Sequence, residues 1–263
     1  AGTTERMGDA MEPLSFFDAN ASFGRRSFRQ PGSFTEKSEL LRQMERFRIR
    51  KALVWHSLAK EYDPAAGNEV LLQETADHPA LIPLLTVLPH YTGEFPPPEQ
   101  LAAYLRKSHI RAVTMFPSQA NHGFGLSELS CGVLFDMLET YRIPLFLSLD
   151  QTGGLEAFGS LVLRRPKLRL VLTNVNFRVE RELYPILAQC ENVWVETSGY
   201  RPFCGLEEAC RRFGAERFVF GSGMPTVSAA SSVSLLTYAD ISQADKCKIA
   251  FQNLDRLFEE VRL

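Results

Sequence analysis

Short β-type runs and helical patterns alternate through this sequence from one end to the other, and that alternation restricts the fold more than any other feature. Eight runs carry strand character: residues 15–19, 51–56, 81–88, 110–115, 143–149, 168–173, 193–197 and 217–221. Leu145-Phe146-Leu147 and Phe218-Val219-Phe220 are apolar at every position, as strands covered on both faces must be. Between the runs, apolar residues recur at helical spacing. Leu40, Leu41, Met44 and Phe47 form one such face, and Ser33-Phe34-Thr35-Glu36 ahead of them reads as a capping box that opens the first helix. Further helices are expected over 68–76, around Leu101 and Leu105, through Val133, Leu134, Met137 and Leu138, and over 155–163, 180–189, 206–213 and 229–239. A last one begins near Ser242 and carries Ile249, Leu254, Leu257 and Phe258.

Repeated βα units with no proline-rich linker and no shift in composition predict an α/β protein, a single (β/α)₈ TIM barrel filling residues 1–263 as one domain. An open doubly wound sheet is the competing architecture, and it calls for a glycine-rich phosphate turn after an early strand. Asn20-Ala21-Ser22-Phe23-Gly24 is no such turn, and Gly221-Ser222-Gly223 lacks the third glycine. A net charge of −2 with interleaved signs gives no basis for a nucleic-acid partner. The densest basic run, residues 23–29, has charge enough for a local anion site or a solvated loop only. No apolar stretch approaches the ~20 residues that span a bilayer. Ala1 to Arg6 shows neither the basic start nor the apolar segment of a secretory leader, so neither membrane nor export is expected. Five scattered cysteines without a C-x-x-C pair fit reduced thiols and a cytoplasmic location. A homodimer stays open, since symmetric pairs are the commonest assembly.

Five segments in order carry a resemblance to a known family. Phe17-Asp18-Ala19-Asn20-Ala21-Ser22-Phe23-Gly24 resembles the opening D-A-H-x-H-F-G of the amidohydrolase superfamily, in its amidohydrolase-related branch of metal-dependent hydrolases and decarboxylases. Leu170 to Asn174 resembles that branch's L-x-L-x-H, and Asn192 to Gly199 its N-V-Y-V-D-T-S-G. Arg217 to Pro225 resembles R-I-L-F-G-S-D-x-P, and Lys248 to Phe258 the closing K-I-x-x-x-N-A-x-R-L-F helix. The resemblance implies a barrel whose site sits at the C-terminal strand ends, where one or two divalent metals activate water or polarise substrate.

It also implies ligand positions that this chain fills differently. Asn20 and Ser22 stand in place of the paired histidines of strand one, Ser148 in place of the strand-five histidine, Asn174 in place of the strand-six histidine, and Gly223 in place of the strand-eight aspartate. Neutral amides and hydroxyls are poor ligands for zinc. No catalytic metal and no other cofactor is therefore expected.

The remaining candidates for acid–base chemistry are His56, His90 and Asp150, each at or just beyond a strand's C-terminal end. Asn20, Ser22, His122, Ser148, Asn174, Asn176 and Gly223 would line the mouth as substrate contacts. Glu196 aligns with an acidic position of the family, where a structural bond and catalysis are equally open, while Asp18 reads as structural. His78 and His109 fall on the opposite rim. Two functions follow. One is a metal-independent hydrolase or lyase acting on a small carboxylated or cyclic substrate. The other is a catalytically silent barrel that binds a small ligand at the C-terminal mouth, or a protein. A cleft uniting His56, His90 and Asp150 would favour the first; a mouth plugged by Phe23, Phe116 or Met224 would favour the second.

Overall fold

The computed structural model describes residues 13–28 and 30–263; the first residues, read above for a leader, and Arg29 at the end of the basic run lie outside the described residues. Strand β1 (Phe16–Phe23) leads to helix α1 (Lys37–Arg46) and β2 (Ile49–His56). Then follow α2 (Ser57–Glu61), α3 (Pro64–Thr75), β3 (Leu81–Pro83), β4 (Leu85–Thr86), α4 (Pro98–Lys107) and β5 (Val113–Thr114). The second half alternates regularly: α5 (Glu128–Tyr141), β6 (Leu145–Ser148), α6 (Leu155–Arg164), β7 (Leu170–Thr173), α7 (Glu180–Gln189), β8 (Val193–Glu196), α8 (Gly205–Phe213) and β9 (Phe218–Val219). Helices α9 (Ala229–Tyr238), α10 (Gln243–Cys247) and α11 (Asn253–Glu259) complete the order, with a π turn at Lys248–Gln252 joining the last two.

All strand pairs are parallel, in the order β1-β2-β3 and β4-β5-β6-β7-β8-β9. The third sequence run is split into β3 and β4 around Leu84, next to Pro83, which has no N–H to give the ladder. The Leu84 N–H still donates to the Val54 carbonyl at 2.8 Å, so the two sheets join there. At the other seam, the Ala19 N–H donates to Phe220 O (2.9 Å), Gly223 N–H to Asn20 O (2.9 Å) and Ser22 N–H to Met224 O (3.0 Å). Together these strands form the (β/α)₈ barrel.

Alternation along the strands sorts side chains into two layers. Leu145, Leu147, Leu170, Leu172 and Phe218 face the helices, whereas Phe17, Leu53, Phe146, Val171 and Val219 fill the barrel interior. Leu254, Leu257 and Phe258 of α11 belong to that inner cluster and close the N-terminal end. The Phe17 ring lies 5.5 Å from Phe251 and 5.6 Å from Phe258. Lys51 lies over Phe17 and Phe251 and pairs with Asp255 at 3.0 Å. With the floor sealed, ligand access falls to the C-terminal mouth.

Two expectations need correction. The capping box is not made: α1 begins at Lys37 behind Glu36, whose side chain makes no capping bond. Ser33 Oγ instead donates to the Pro225 carbonyl at 3.1 Å, tying this loop to the segment after β9. Helix α2 was not anticipated; it starts directly after β2, where His56 Nδ1 accepts the Leu58 N–H at 3.2 Å. Among the described residues, no helix is long and apolar enough to cross a membrane.

Candidate functional site at the barrel mouth

A buried carboxyl group organises the mouth. Glu196 ends β8 and is completely buried. One of its oxygens accepts the Ser198 N–H; the other accepts Asn20 Nδ2 (2.9 Å), Ser198 Oγ (2.9 Å) and the Asn174 N–H (3.3 Å). Burial pushes its pKa from 4.5 up to about 6, and these hydrogen bonds only partly offset that. Asn20 Nδ2 also donates to Asn174 Oδ1 at 3.1 Å, and Asn174 Nδ2 donates to Ser148 Oγ at 2.8 Å. Ser148 Oγ donates in turn to Asp150, whose other oxygen accepts Gln151 Nε2 at 2.9 Å. One chain of hydrogen bonds thus crosses the mouth from a buried acid to an exposed one.

Asp18 lies beneath this chain, fully buried. Its Oδ1 accepts the Ser222 N–H (2.8 Å) and the Asn20 N–H (3.0 Å), pinning β1 to the segment after β9. Burial raises its pKa, and those donors offset part of the rise. Asp150 behaves oppositely. Burial pushes its carboxyl up, but the Ser148 and Gln151 donors and the charge of Lys60 outweigh that and hold it below the usual carboxylate range.

Two cations and two rings form one side of the rim. Arg26 donates to Ser22 Oγ (2.7 Å) and Thr226 Oγ1 (2.6 Å), with its guanidinium 5.9 Å from the Trp55 ring centroid. The Lys60 ammonium lies 5.5 Å from the Trp55 centroid and 5.2 Å from that of Phe116, and the two rings are 5.1 Å apart. Trp55 packs against the inner barrel cluster, so this aromatic wall belongs to the mouth. Phe116 is buried against Trp55 in this wall, while Phe23 and Met224 belong to the outer core layer.

The sequence candidates divide accordingly. Asn20, Ser148, Asp150 and Asn174 share the network, and Ser22 joins the rim through Arg26. His122 borders the Phe116 ring edge at 6.1 Å, its buried ring nitrogens beside the carbonyls of Ala59 and Lys60 but without a well-aligned hydrogen bond. His56 caps α2 and meets Phe23 edge-on, and burial lowers its pKa. His90 opens a single 3₁₀ turn and lies against Tyr91. His56, His90 and Asp150 make no hydrogen bond to one another. Asn176 Oδ1 accepts the Arg178 N–H at 3.0 Å, a turn-forming bond on an exposed loop. Arg26, Lys60 and Trp55 carry no functional signal in the sequence, and Phe116 reads there only as a plug. Arg26 was hidden in a run that reads as solvated, and Lys60 rides on a five-residue helix that has no periodic signature.

A family model described as amidohydrolase matches residues 66–259. The chain belongs to the amidohydrolase family. A search of curated proteins yields no significant match. Among solved structures, the barrel is similar to 2,6-dihydroxybenzoate decarboxylase from Rhizobium, with TM-score 0.75 and 14% identity over 94% of this chain and 99% of that one. It is similar to 5-carboxyvanillate decarboxylase from Sphingomonas paucimobilis (TM-score 0.73, 13% identity, 94% and 99% covered). It is also similar to a dihydroxybenzoic acid decarboxylase from Polaromonas sp. JS666 that holds manganese and the inhibitor 2-nitroresorcinol (TM-score 0.71, 15% identity, 94% and 97% covered). At these identities the likeness establishes the fold.

The donor set of this amidohydrolase-family mouth does not fit such a metal. Among the described residues, no three His, Cys, Asp or Glu side chains gather where they could share an ion. Asn20 turns its Nδ2 hydrogens, rather than lone pairs, toward the centre of the network. The acceptor capacity of Glu196 is taken by four donors. Gly223 has φ +71°, and a Cβ there would fall 2.6 Å from Val227 Cγ2, so the aspartate that the resemblance places at this position would be strained.

Proposed function

We propose that this mouth takes up a small, planar, carboxylated molecule and acts on it as a hydrolase or lyase without a transition metal. The observation that carries the reading is the network itself. Asn20, Asn174 and Ser148, which the sequence resemblance aligns with ligand positions, are hydrogen-bonded into a fixed frame between Glu196 and Asp150. Arg26 supplies a cation for a substrate carboxylate, with its Nε buried and unpartnered and its terminal nitrogens held by Ser22 and Thr226. Trp55, only partly buried beside Arg26 and Lys60, supplies the aromatic surface for a flat ring. Glu196, protonated over more of the acidic range than an ordinary glutamate, is the proton donor of this reading, and Asp150, held as a carboxylate, is its general base. The similar structures lend a substrate class, since one of them is a complex with 2,6-dihydroxybenzoate.

A second reading, a binding barrel without catalysis, is favoured by one observation: both carboxylates already have their oxygens engaged, Glu196 by four donors and Asp150 by two. Titration with 2,6-dihydroxybenzoate, followed by tryptophan fluorescence with carbon dioxide release monitored in parallel, separates the two. Saturable quenching that EDTA leaves unchanged, weakened about 10-fold or more in Arg26→Met, is the expected result. Carbon dioxide release then distinguishes a lyase from a binder. Binding or turnover that appears only on adding manganese would refute the metal-free reading.

A further inference from the structure

Most interior or half-buried lysines of this chain have an evident partner. Lys37 meets Glu74 and Asp77, Lys51 meets Asp255, Lys246 donates to the Thr237 carbonyl, and Lys248 meets Glu216 and Asp245. Lys60 does not follow that pattern. Its ammonium is half-buried at the barrel mouth between the faces of Trp55 and Phe116, and among the described residues it makes neither a hydrogen bond nor an ion pair. Its backbone, in contrast, is fixed: Asn121 Nδ2 donates to the Lys60 carbonyl at 3.2 Å, and neighbouring Ala59 is fully buried. A lysine held this way at the strand ends is an amine presented rather than an amine paired.

We propose that Lys60 is a nucleophile that forms a Schiff base with the carbonyl carbon of a small keto acid whose carboxylate is held by Arg26. This deepens the metal-free reading of the mouth and rests on it. The two groups share one platform, at 5.5 Å and 5.9 Å from the Trp55 centroid. In the first step the neutral Nζ lone pair adds to the carbonyl carbon. The oxygen of the resulting carbinolamine takes up a proton and leaves as water, giving a protonated C=N bond. If the substrate carries its carboxylate β to that carbon, the C–CO₂ bond breaks, its electron pair passes into the C=N⁺ system, and carbon dioxide departs. The enamine then takes a proton on carbon, and water hydrolyses the C=N bond to release product and restore Nζ. The electron sink is supplied by the chain itself.

The surroundings of the amine fit that role. Burial lowers the Lys60 pKa and the Arg26 charge lowers it further, while Asp150 and Glu61 act in the other direction. His122 lies alongside. Asp150 is the charged group with the largest pull on Lys60 and favours its ammonium form, so the proton is given up to solvent before the amine attacks.

The test uses the full chain with acetoacetate as probe, reduced with sodium borohydride and read by intact mass and peptide mapping. A single reduced adduct on Lys60 is expected, about ten-fold or more above the average surface lysine. It should need both reagents and be absent from Lys60→Met. Lys60→Arg keeps the cation but cannot form the C=N bond; it should lose labelling while still quenching with 2,6-dihydroxybenzoate. Adducts spread evenly over surface lysines, or no adduct in a protein that still binds the carboxylate, overturn the assignment of Lys60 and leave the metal-free site intact. A protein that neither labels nor binds overturns both.

Discussion

Glu196 gives the most exacting test of the site's electrostatics. Its pKa is pushed from 4.5 up to about 6 by complete burial, so between those values the folded chain keeps a proton that the unfolded chain has released. Stability contributed by this group is therefore full below pH 4.5 and falls as pH rises to about 6 and beyond. At about 1.36 kcal/mol for each pH unit, the loss comes to about 2 kcal/mol. Other carboxyls bend the whole stability curve too. Asp18, also pushed up, adds loss of the same sign, whereas Glu39, near 2, loses its contribution only as pH falls. The comparison is therefore with Glu196→Gln, which keeps these other groups and removes one. Urea unfolding of both proteins from pH 4.5 to 7.5 gives the difference at each pH. The wild type should lose about 2 kcal/mol relative to the variant across that span, with most of the change between pH 4.5 and 6.5. The absolute offset between the two is immaterial, because the glutamine amide cannot satisfy all four donors. Parallel curves, or a wild type that gains on the variant as pH rises, would show that the carboxyl is ionised at least as readily in the fold as outside it.

Other outcomes can be stated more briefly. Asn253 is buried and its Nδ2 donates to the carbonyls of Ala215 and Phe218 at 2.8 Å each, so Asn253→Ala should cost about 3 kcal/mol in urea unfolding; a change below about 1 kcal/mol would mean that those carbonyls find other donors. A Cβ at Gly221 would lie 2.1 Å from Glu196 Oε1, so Gly221→Ala should destabilise by about 2 kcal/mol and abolish carboxylate quenching of tryptophan fluorescence. Dialysis against EDTA should leave the Tm within about 1 °C, because an ion bound only by the folded state would lower it on removal.

The order of elements was legible in the sequence because each strand is a dense apolar run set between helical faces. Residues 180–189, for example, form α7 over the same span that their periodicity indicates. Ladder ends were less legible. The run at 110–115 shrinks to β5, Val113–Thr114, since pairing depends on a neighbour that one sequence does not display. Of the mouth, the polar substitutions at Asn20, Ser148 and Asn174 could be placed by their strand positions, and they do converge. That Glu196 lies at the hub could not be read, because its role follows from donors on three different strand ends. Lys60 and Arg26 were hidden for a related reason. Each comes from a loop or a short helix just past β1 or β2, whose path over Trp55 one sequence does not display any more than it displays the closing of the barrel.

The same closing has a consequence for how the chain comes together in time. The backbone bonds that knit Ala19, Asn20 and Ser22 to Phe220, Gly223 and Met224 span about 200 residues. The first strand emerges from the ribosome early, and its partner edge does not yet exist. Its apolar face must be shielded by β2 alone, or by a chaperone, until α11 arrives to cover Phe17. Slow codons between those for β2 and α11 would lengthen that exposed interval, so the yield of soluble protein should fall as translation across that stretch is slowed.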